Sequence, residues 1–530
     1  MKYDVLVIGG GVNGLTTAAY LSGAGKKVLV AERRATLGGL CGTEEFHPGF
    51  RANTCVDDPG WVPPGVMKDL GLATLGYVES FAPQSMTIPI GGASPLVITP
   101  DVNATADAIR PHSARDAAKW PEFCAFVARL SGFVEMLYDV RAPAVESNAP
   151  ADMFTLLTLG RRLRGLGRRG MIDVIRTMPM PIADLLDEWF EHEALKGALS
   201  TLGVCNVQHG PQSGGTALVF LHNHVGLPAG HIGGRRIVRG GVGAIVEALA
   251  GAVTRAGGVI RSAAEVSQVR VRDERVVGAV LASGEEIDVS VVVSSADPRR
   301  TFTTLLDAGD LDPEFLHAVD CVRMRGPQVR MHLALAGLPR FAAGTTAWND
   351  AALRGAITIA PSMTYVERAY DAAKHGRLAE QPWLRVSIPS LDDAAFAPAG
   401  KQVMTVHAQY APYGLRGEWT RERRAALRDT LVQLVADHAP GLPAAILHSE
   451  LLAPPDIEER YGATEGSLLH GELTLDQFLF ARPVSQISRY AAPIDGLWLC
   501  GSGTHPGAGT AGASGRLAAK EIIAGNRSAR

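Results

Sequence analysis

Three glycines and one acid near the start of the chain have the types and spacing to hold a phosphorylated ligand. They lie in YDVLVIGGGVNGLTTAAYLSGAGKKVLVAERRATLGG, residues 3–39. In the pattern G-x-G-x-x-G, Gly9 allows a tight turn and Gly11 lets backbone N–H groups approach a pyrophosphate. Gly14 lets the following helix pack on the strand. Val12 and Asn13 open that helix, whose N-terminus offers unpaired N–H donors and partial positive charge to phosphate oxygens. The carboxylate of Glu32 can accept hydrogen bonds from a ribose diol. The glycine pattern alone also describes an ordinary strand-turn-helix. Here it stands between the apolar run Val5-Leu6-Val7-Ile8 and an Ala/Leu-rich helical stretch. Glu32 closes the next β run, Val28-Leu29-Val30. That full context predicts a dinucleotide site.

The residues after Glu32 indicate which dinucleotide. Arg33, Arg34, Ala35, Thr36 and Leu37 lead into Gly38 and Gly39. This E-(x)5-GG extension resembles flavoproteins in which FAD lies extended across the fold. Gly38 and Gly39 would let the backbone pass close to the cofactor. Arg34 could cover the adenine side; for Arg33 and Arg34 the alternative is a solvated loop.

The elements that must position such a site are spread along the chain. It has 530 residues, 46% of them hydrophobic and 20% charged, enough for a large core and more than one domain. A net charge of -3 points away from nucleic acid. The six cysteines, at 41, 55, 124, 205, 321 and 500, form no C-x-x-C pair and no zinc-type cluster. A dithiol redox pair is therefore excluded, and the scattered thiols suit a reducing compartment. No run of 18 apolar residues suggests a membrane span. The first strand begins near residue 3, so no cleaved leader is expected, and a cytoplasmic location is.

Residues 76–224 read as short helices, such as 122–138 and 182–198, with Pro-rich joints. The basic run Arg161 to Arg169 is either a solvated helix end or a patch for anionic lipid head groups. Residues 239–257, RGGVGAIVEALAGAVTRAG, form a glycine turn before a helix but lack the third glycine of a second fingerprint. A meander is predicted over Glu265–Arg272, Arg275–Ala282 and Glu286–Ser294. Val329–Ala336 and Gln402–Tyr410 read as strands of a second sheet, and Thr420–His438 as an amphipathic helix. The strand 497–500 runs into GSGTHPGAGTAG, residues 501–512, followed by a helix from Ala513 to Ala524. Two glycine-rich strand-to-helix turns at opposite ends of the chain suit one long cofactor.

The N-terminal fingerprint, the GGVGAIVEAL turn and the terminal GSGTHPGAGTAGASG resemble the phytoene-dehydrogenase-like FAD oxidoreductases. The branch is the one named for a pyridine nucleotide-disulfide oxidoreductase domain, which also carries segments similar to 406–417 and 454–484. The resemblance covers both ends and much of the second half, and residues 76–224 least. It implies an α/β (overall α+β) fold related to amine oxidases: an FAD-binding Rossmann-like domain with a meander insertion, and a discontinuous mixed-sheet substrate domain. The expected division is 1–75, 225–305 and 485–530 for FAD, and 76–224 and 306–484 for substrate. It also implies non-covalent FAD. Gly9, Gly11, Gly14, Glu32, Arg34, Gly38 and Gly39 match its N-terminal cofactor pattern. Val266 matches the position whose backbone meets the adenine. Gly501, Ser502, Gly503, Thr510, Ala511 and Gly512 match its C-terminal contacts.

A flavin carries the hard chemistry itself, so no acid or base is mandatory. The expected substrate is a fairly apolar small molecule that gives up a C–H hydride to flavin N5. Electrons then pass to oxygen, a quinone or another diffusible acceptor. His505 is the candidate to hydrogen-bond the flavin or relay a proton; its alternative is a structural histidine capping the loop before Pro506. His222 and His224 could line a cavity but read rather as surface or linker residues, Glu472 and Gln477 as structural, and Cys500 as strand packing rather than a covalent flavin link. Two alternatives stand beside this reading. One is an amine oxidase with an aromatic cage drawn from Tyr410, Tyr413 and Trp419. The other is a flavin-bearing scaffold without turnover.

Overall fold

Val5–Ile8 is buried along its whole length, as a parallel strand covered on both faces must be. In the computed structural model, which describes residues 3–91, 94–143, 150–343 and 346–528, this run is β1, the middle strand of a five-stranded parallel sheet. All of the candidate site residues fall within the described residues. Helix α1, Val12–Gly23, crosses over to β2, Val28–Ala31. On the far side of β2 lies Val259–Arg261. On the far side of β1 lie Val292–Ser294 and then Leu497–Leu499. The sheet thus joins strands that are almost 500 residues apart in sequence. Helices Gly243–Arg255 and Ala513–Ser528 flank α1, and their apolar faces bury Leu15, Ala18, Ile245, Leu249 and Leu517 against Val5 and Val7.

The opposite face of the sheet, through Leu6, Ile8 and Leu29, packs on a three-stranded antiparallel meander. Its strands are Val266–Arg272, Arg275–Leu281 and Glu286–Asp288. The third strand does not run on to Ser294, as the sequence pattern predicts. Instead, Glu286–Asp288 closes the meander with two of its three side chains exposed, while Val292–Ser294, which continues the apolar run from Val291, is fully buried beside β1. Alternation suits the first setting and an unbroken apolar run the second.

A seven-stranded mixed sheet forms the second layer. Its order is Ile446–Leu452, Gln328–Leu335, Gln402–Gln409, Trp383–Ser387, Ala356–Ile359, Met86–Ile88, Leu96–Ile98. Only the Ala356–Ile359 and Met86–Ile88 pair is parallel. Helices cover part of it. The helix expected over 122–138 starts earlier, at Ala114, where Ser113 accepts a hydrogen bond from the Asp116 N–H. It continues through Pro121, a residue type that more often marks a helix boundary. The stretch expected as one helix over 182–198 is two, Ile182–Trp189 and Glu193–Val204, the second capped by the His192 side chain.

The basic run falls at the junction of helices Pro150–Gly165 and Gly167–Thr177. Its five arginines are exposed and carry no ion-pair partner among the described residues. Beside them, Phe154 and Ile175 are 67% and 65% exposed. No helix among the described residues is long and apolar enough to cross a membrane.

Candidate cofactor and substrate cavities

Helix α1 starts at an N-cap, Gly11, with extended backbone and no side-chain cap. Its first N–H groups are therefore left for a ligand. A Cβ built on Gly11 would meet no protein atom within 4 Å, so the space beside it is open. A Cβ on Gly14 would lie 2.2 Å from the Gly9 carbonyl oxygen, which is why helix and turn can approach so closely. Gly38 donates to the Gly10 carbonyl at 2.9 Å and bridges Gly11, folding the Gly38–Gly39 segment over the turn. The resulting cavity is bordered by Gly9, Gly11, Glu32, Gly38, Gly39 and Val266. Buried Glu32 accepts from the Gly10 N–H at 2.7 Å and the Arg34 N–H at 2.8 Å. These two backbone donors fix the carboxylate and leave lone pairs for hydroxyls.

Arg33 borders this cavity and donates to the Glu459 carbonyl at 2.7 Å. Arg34 does not border it. Its guanidinium pairs with Glu44 at 2.7 Å and lies 4.8 Å from the centre of the Tyr461 ring. Tyr461, which no local motif marks as a site residue, faces the cavity in its place.

A second cavity continues from the first, sharing Val12, Asn13, Leu40, Cys41 and Ser502. Asn13 joins the two chain ends. Its Nδ2 donates to Ser502 Oγ at 3.2 Å, and its Oδ1 accepts from the Gly515 N–H at 3.3 Å. Gly501 and Ser502 border the first cavity; Ser502, Thr510 and Ala511 border the second, opposite Trp61. Gly503 and Gly512 serve packing. A Cβ there would come within 2.4 Å of Pro298 and 2.8 Å of Thr16. The terminal turn is held by Arg482, 1% exposed, which donates to the carbonyls of Leu469 at 2.7 Å, Gly471 at 3.1 Å and Ser502 at 2.8 Å.

His505 borders neither cavity. Its Nε2 meets the carbonyls of Leu137 and Val140, both at 3.1 Å, and burial pushes its pKa down to about 4. It is a neutral clamp between the terminal turn and the long helix. His222 and His224 are buried, not on the surface or in a linker. His222 borders the second cavity, and its Nδ1 lies 2.8 Å from the Tyr138 hydroxyl. His224 Nε2 accepts from the Gly233 N–H at 3.0 Å while Nδ1 meets the Phe220 carbonyl. Burial pushes both to about 4. Tyr410, Tyr413 and Trp419 lie away from the cavities, the Tyr410 hydroxyl donating to the His209 carbonyl at 2.6 Å. Glu472 is nearly fully buried between Arg323 and Arg325. The thiols of Cys41, at the cavity, and Cys500, in the core, are pushed up to about 12 by burial, so neither is a ready nucleophile.

The mixed sheet supplies the other wall of the second cavity. Arg330, His407 and Arg385 stand directly opposite one another on adjacent strands Gln328–Leu335, Gln402–Gln409 and Trp383–Ser387. All three border the cavity, together with Asp57, Asp58, Arg235 and Arg236. Apolar Leu202, Val219, Val225, Leu469 and Leu473 complete the wall. Sequence reasoning missed this group because its members meet only through strand register.

An uncapped helix start and the Glu32 carboxylate at one end of a long cavity, with a second glycine turn along it, fit an extended dinucleotide such as FAD. Such an arrangement is that of a flavoprotein oxidoreductase. The chain belongs to the flavin-containing amine oxidoreductases, whose family model matches residues 13–327. It is 34% identical to the pyridine nucleotide-disulfide oxidoreductase domain-containing protein 2 of Rattus norvegicus, over 98% of this chain and 93% of that one. It is 30% identical to the neurosporene-forming phytoene desaturase of Rhodobacter capsulatus, over 53% of this chain and 52% of that one. Among solved structures, cyclohexylamine oxidase from Brevibacterium oxydans shares the fold, with a TM-score of 0.58 at 14% identity over the whole of both chains. The protein is thus an FAD-dependent oxidoreductase, with a small-molecule substrate and an electron acceptor.

Proposed function

We propose that this oxidoreductase takes hydrogen from a C–H bond of a small molecule with an apolar body, and that its electrons leave to oxygen, a quinone or another diffusible acceptor. The observation that carries this reading is the second cavity, continuous with the nucleotide cavity and walled by Leu202, Val219, Val225, Leu469 and Leu473 beside Trp61. Flavin, when bound, supplies the two-electron acceptor. The chain's residues bind and orient. The start of α1 holds the pyrophosphate, Glu32 the ribose and the backbone at Val266 the adenine. Gly501, Ser502, Thr510 and Ala511 flank the ring end. The chain segments 1–75, 225–305 and 485–530 form the FAD-binding unit in this reading, and 76–224 and 306–484 the substrate unit. The turn at Gly241 and Gly243 lacks a third glycine, so no second nucleotide site is assigned and a nicotinamide is not the acceptor. An amine substrate has less support, because Tyr410, Tyr413 and Trp419 lie outside the cavity.

The test is a visible spectrum followed by anaerobic titration with polyenes, terpenes, amines and NADPH. Bleaching by a compound with an apolar body is expected. Bleaching by amines with ammonia release would replace this reading, and stoichiometric bleaching by NADPH would make a nicotinamide the electron donor and count against it.

We also propose that the helices Pro150–Gly165 and Gly167–Thr177 rest on an anionic membrane surface. Exposed Phe154, Leu157, Ile172 and Ile175 stand beside five arginines with no ion-pair partner among the described residues, the combination that binds acidic lipid interfaces. Cosedimentation with phosphatidylglycerol vesicles is expected, and a Phe154→Asp/Ile175→Asp protein should bind them about tenfold more weakly. Equal binding to neutral vesicles would refute the assignment.

A further inference from the structure

The substrate cavity is bordered by one arginine that no carboxylate answers. Four arginines border it. Arg330 pairs with Asp57 at 2.7 and 3.1 Å. Arg235 pairs with Asp392 at 2.7 Å, and Arg236 with Asp58 at 3.7 Å. Arg385, half-buried at the cavity wall, has no ion-pair or hydrogen-bond partner among the described residues. Withdrawing a guanidinium from bulk water without a partner is costly, so an unanswered one at a cavity wall implies an anion from outside.

The neighbour of Arg385 points the same way. His407, 5% exposed, also borders the cavity, and its Nε2 has no hydrogen-bond partner. Burial, reinforced by the Arg330 and Arg385 charges, pushes its pKa down to about 3, so it is a neutral imidazole. Strand register places it between the two arginines: Arg330 opposite His407, and His407 opposite Arg385. Adjacent strands are about 4.8 Å apart, so the two arginine Cα atoms are roughly 10 Å apart with the imidazole between. Asp57 answers the Arg330 side of this row. Burial disfavours its charge, yet the guanidiniums of Arg330, Arg235 and Arg385 outweigh that and hold its carboxyl at about 2. The Arg385 side stays open. A guanidinium fork beside a neutral N–H donor matches the two oxygens of a carboxylate.

We propose that the substrate carries a carboxylate, held by Arg385 and His407, at the end of its apolar body. The substrate is then an amphiphilic acid, not a hydrocarbon. This rests on the reading of the second cavity as the substrate cavity. It explains why a wall with Leu202, Val219 and Leu473 also holds Arg385, whose guanidinium a purely apolar ligand would leave unanswered.

The experiment uses the flavin-loaded protein and three probes of equal chain length: decanoate, 1-decanol and decylphosphonate. Binding is read from the perturbation of the flavin spectrum and from isothermal calorimetry, neither of which requires turnover. Decanoate is expected to bind about tenfold or more tightly than decanol. Arg385→Gln should erase that preference while keeping the flavin, and Arg385→Lys should restore part of it. Equal affinity for decanoate and decanol would overturn the proposal. So would preference for the phosphonate, which would make the ligand a phosphate ester. An Arg385→Gln protein that loses its flavin would also overturn it, by assigning the guanidinium to the cofactor. A flavoprotein that bleaches with apolar compounds but ignores decanoate would leave the oxidoreductase reading standing and remove only this one.

Discussion

A Gly11→Val protein is expected to fold, and to purify without colour. The new Cβ meets no protein atom within 4 Å, so packing is undisturbed. Residue 11 also has the ordinary extended backbone that any side chain adopts. The isopropyl group would instead fill the space in front of the α1 N-terminus, where a pyrophosphate must come within hydrogen-bond distance of the backbone. A loss of FAD affinity of about 100-fold or more is expected, since the phosphate contacts at a helix start are charge-assisted. Thermal stability of the flavin-free form should match that of flavin-free wild type. Gly14→Val is the contrast. Its Cβ would overlap the Gly9 carbonyl at 2.2 Å, so α1 must move off β1 and soluble protein should be lost. The pair is read by flavin absorbance and by melting of the flavin-stripped proteins. A yellow, stable Gly11→Val protein would show that the cofactor does not lie along this helix start.

Acidification from pH 7 to pH 5 is expected to remove most of the folding stability. His222, His224 and His505 are held at about 4, and His332 and His407 at about 3, in each case chiefly by burial. An unfolded histidine titrates near 6.5. The unfolded chain therefore binds more protons below that pH, and stability falls as the pH drops from about 6.5 toward 4. Each of these imidazoles forfeits about 2 kcal/mol between pH 7 and pH 5. Together they approach the ~5–15 kcal/mol that holds a typical fold. Asp57 and Glu472, both held at about 2, are lost only at lower pH, in the window below their unfolded values near 4. Denaturant midpoints at pH 7.5, 6 and 5 check this. A flat profile across those values would mean that the imidazoles are hydrated or already charged in the folded protein.

What can be read from the sequence follows the range of the interactions involved. The strand–turn–helix start lies within residues 3–39, and its cues are all local: an apolar run, glycines, then an acid. The fold class is legible for the same reason, because two glycine turns and a meander are each short patterns. Glu286–Ser294 misleads because one apolar stretch changes sheets after a polar turn, and periodicity does not record which neighbour a strand finds. His222 and His224 read as linker residues because they flank Asn223. The apolar stretch ALVFL ahead of them, at residues 217–221, is the available signal for burial. Arg385 has no such signal. In WLRVS it is one polar residue in a strand, and only the register with Arg330 and His407 reveals an acid-binding wall. Tyr461 belongs to the segment 454–484, but its facing direction depends on Arg34 packing behind its ring.

The five-stranded sheet also sets a schedule for synthesis. Its central strand, Val5–Ile8, is made almost 500 residues before its edge strand, Leu497–Leu499. A ribosome adding about 5–20 residues per second needs about 25–100 s to cover the distance between them. Throughout that interval the nascent chain carries the start of α1 without Ser502 and Gly515, the partners of Asn13. The cofactor can therefore be clasped only after Gly515 has been made, and chaperones have that long to guard an unfinished sheet edge.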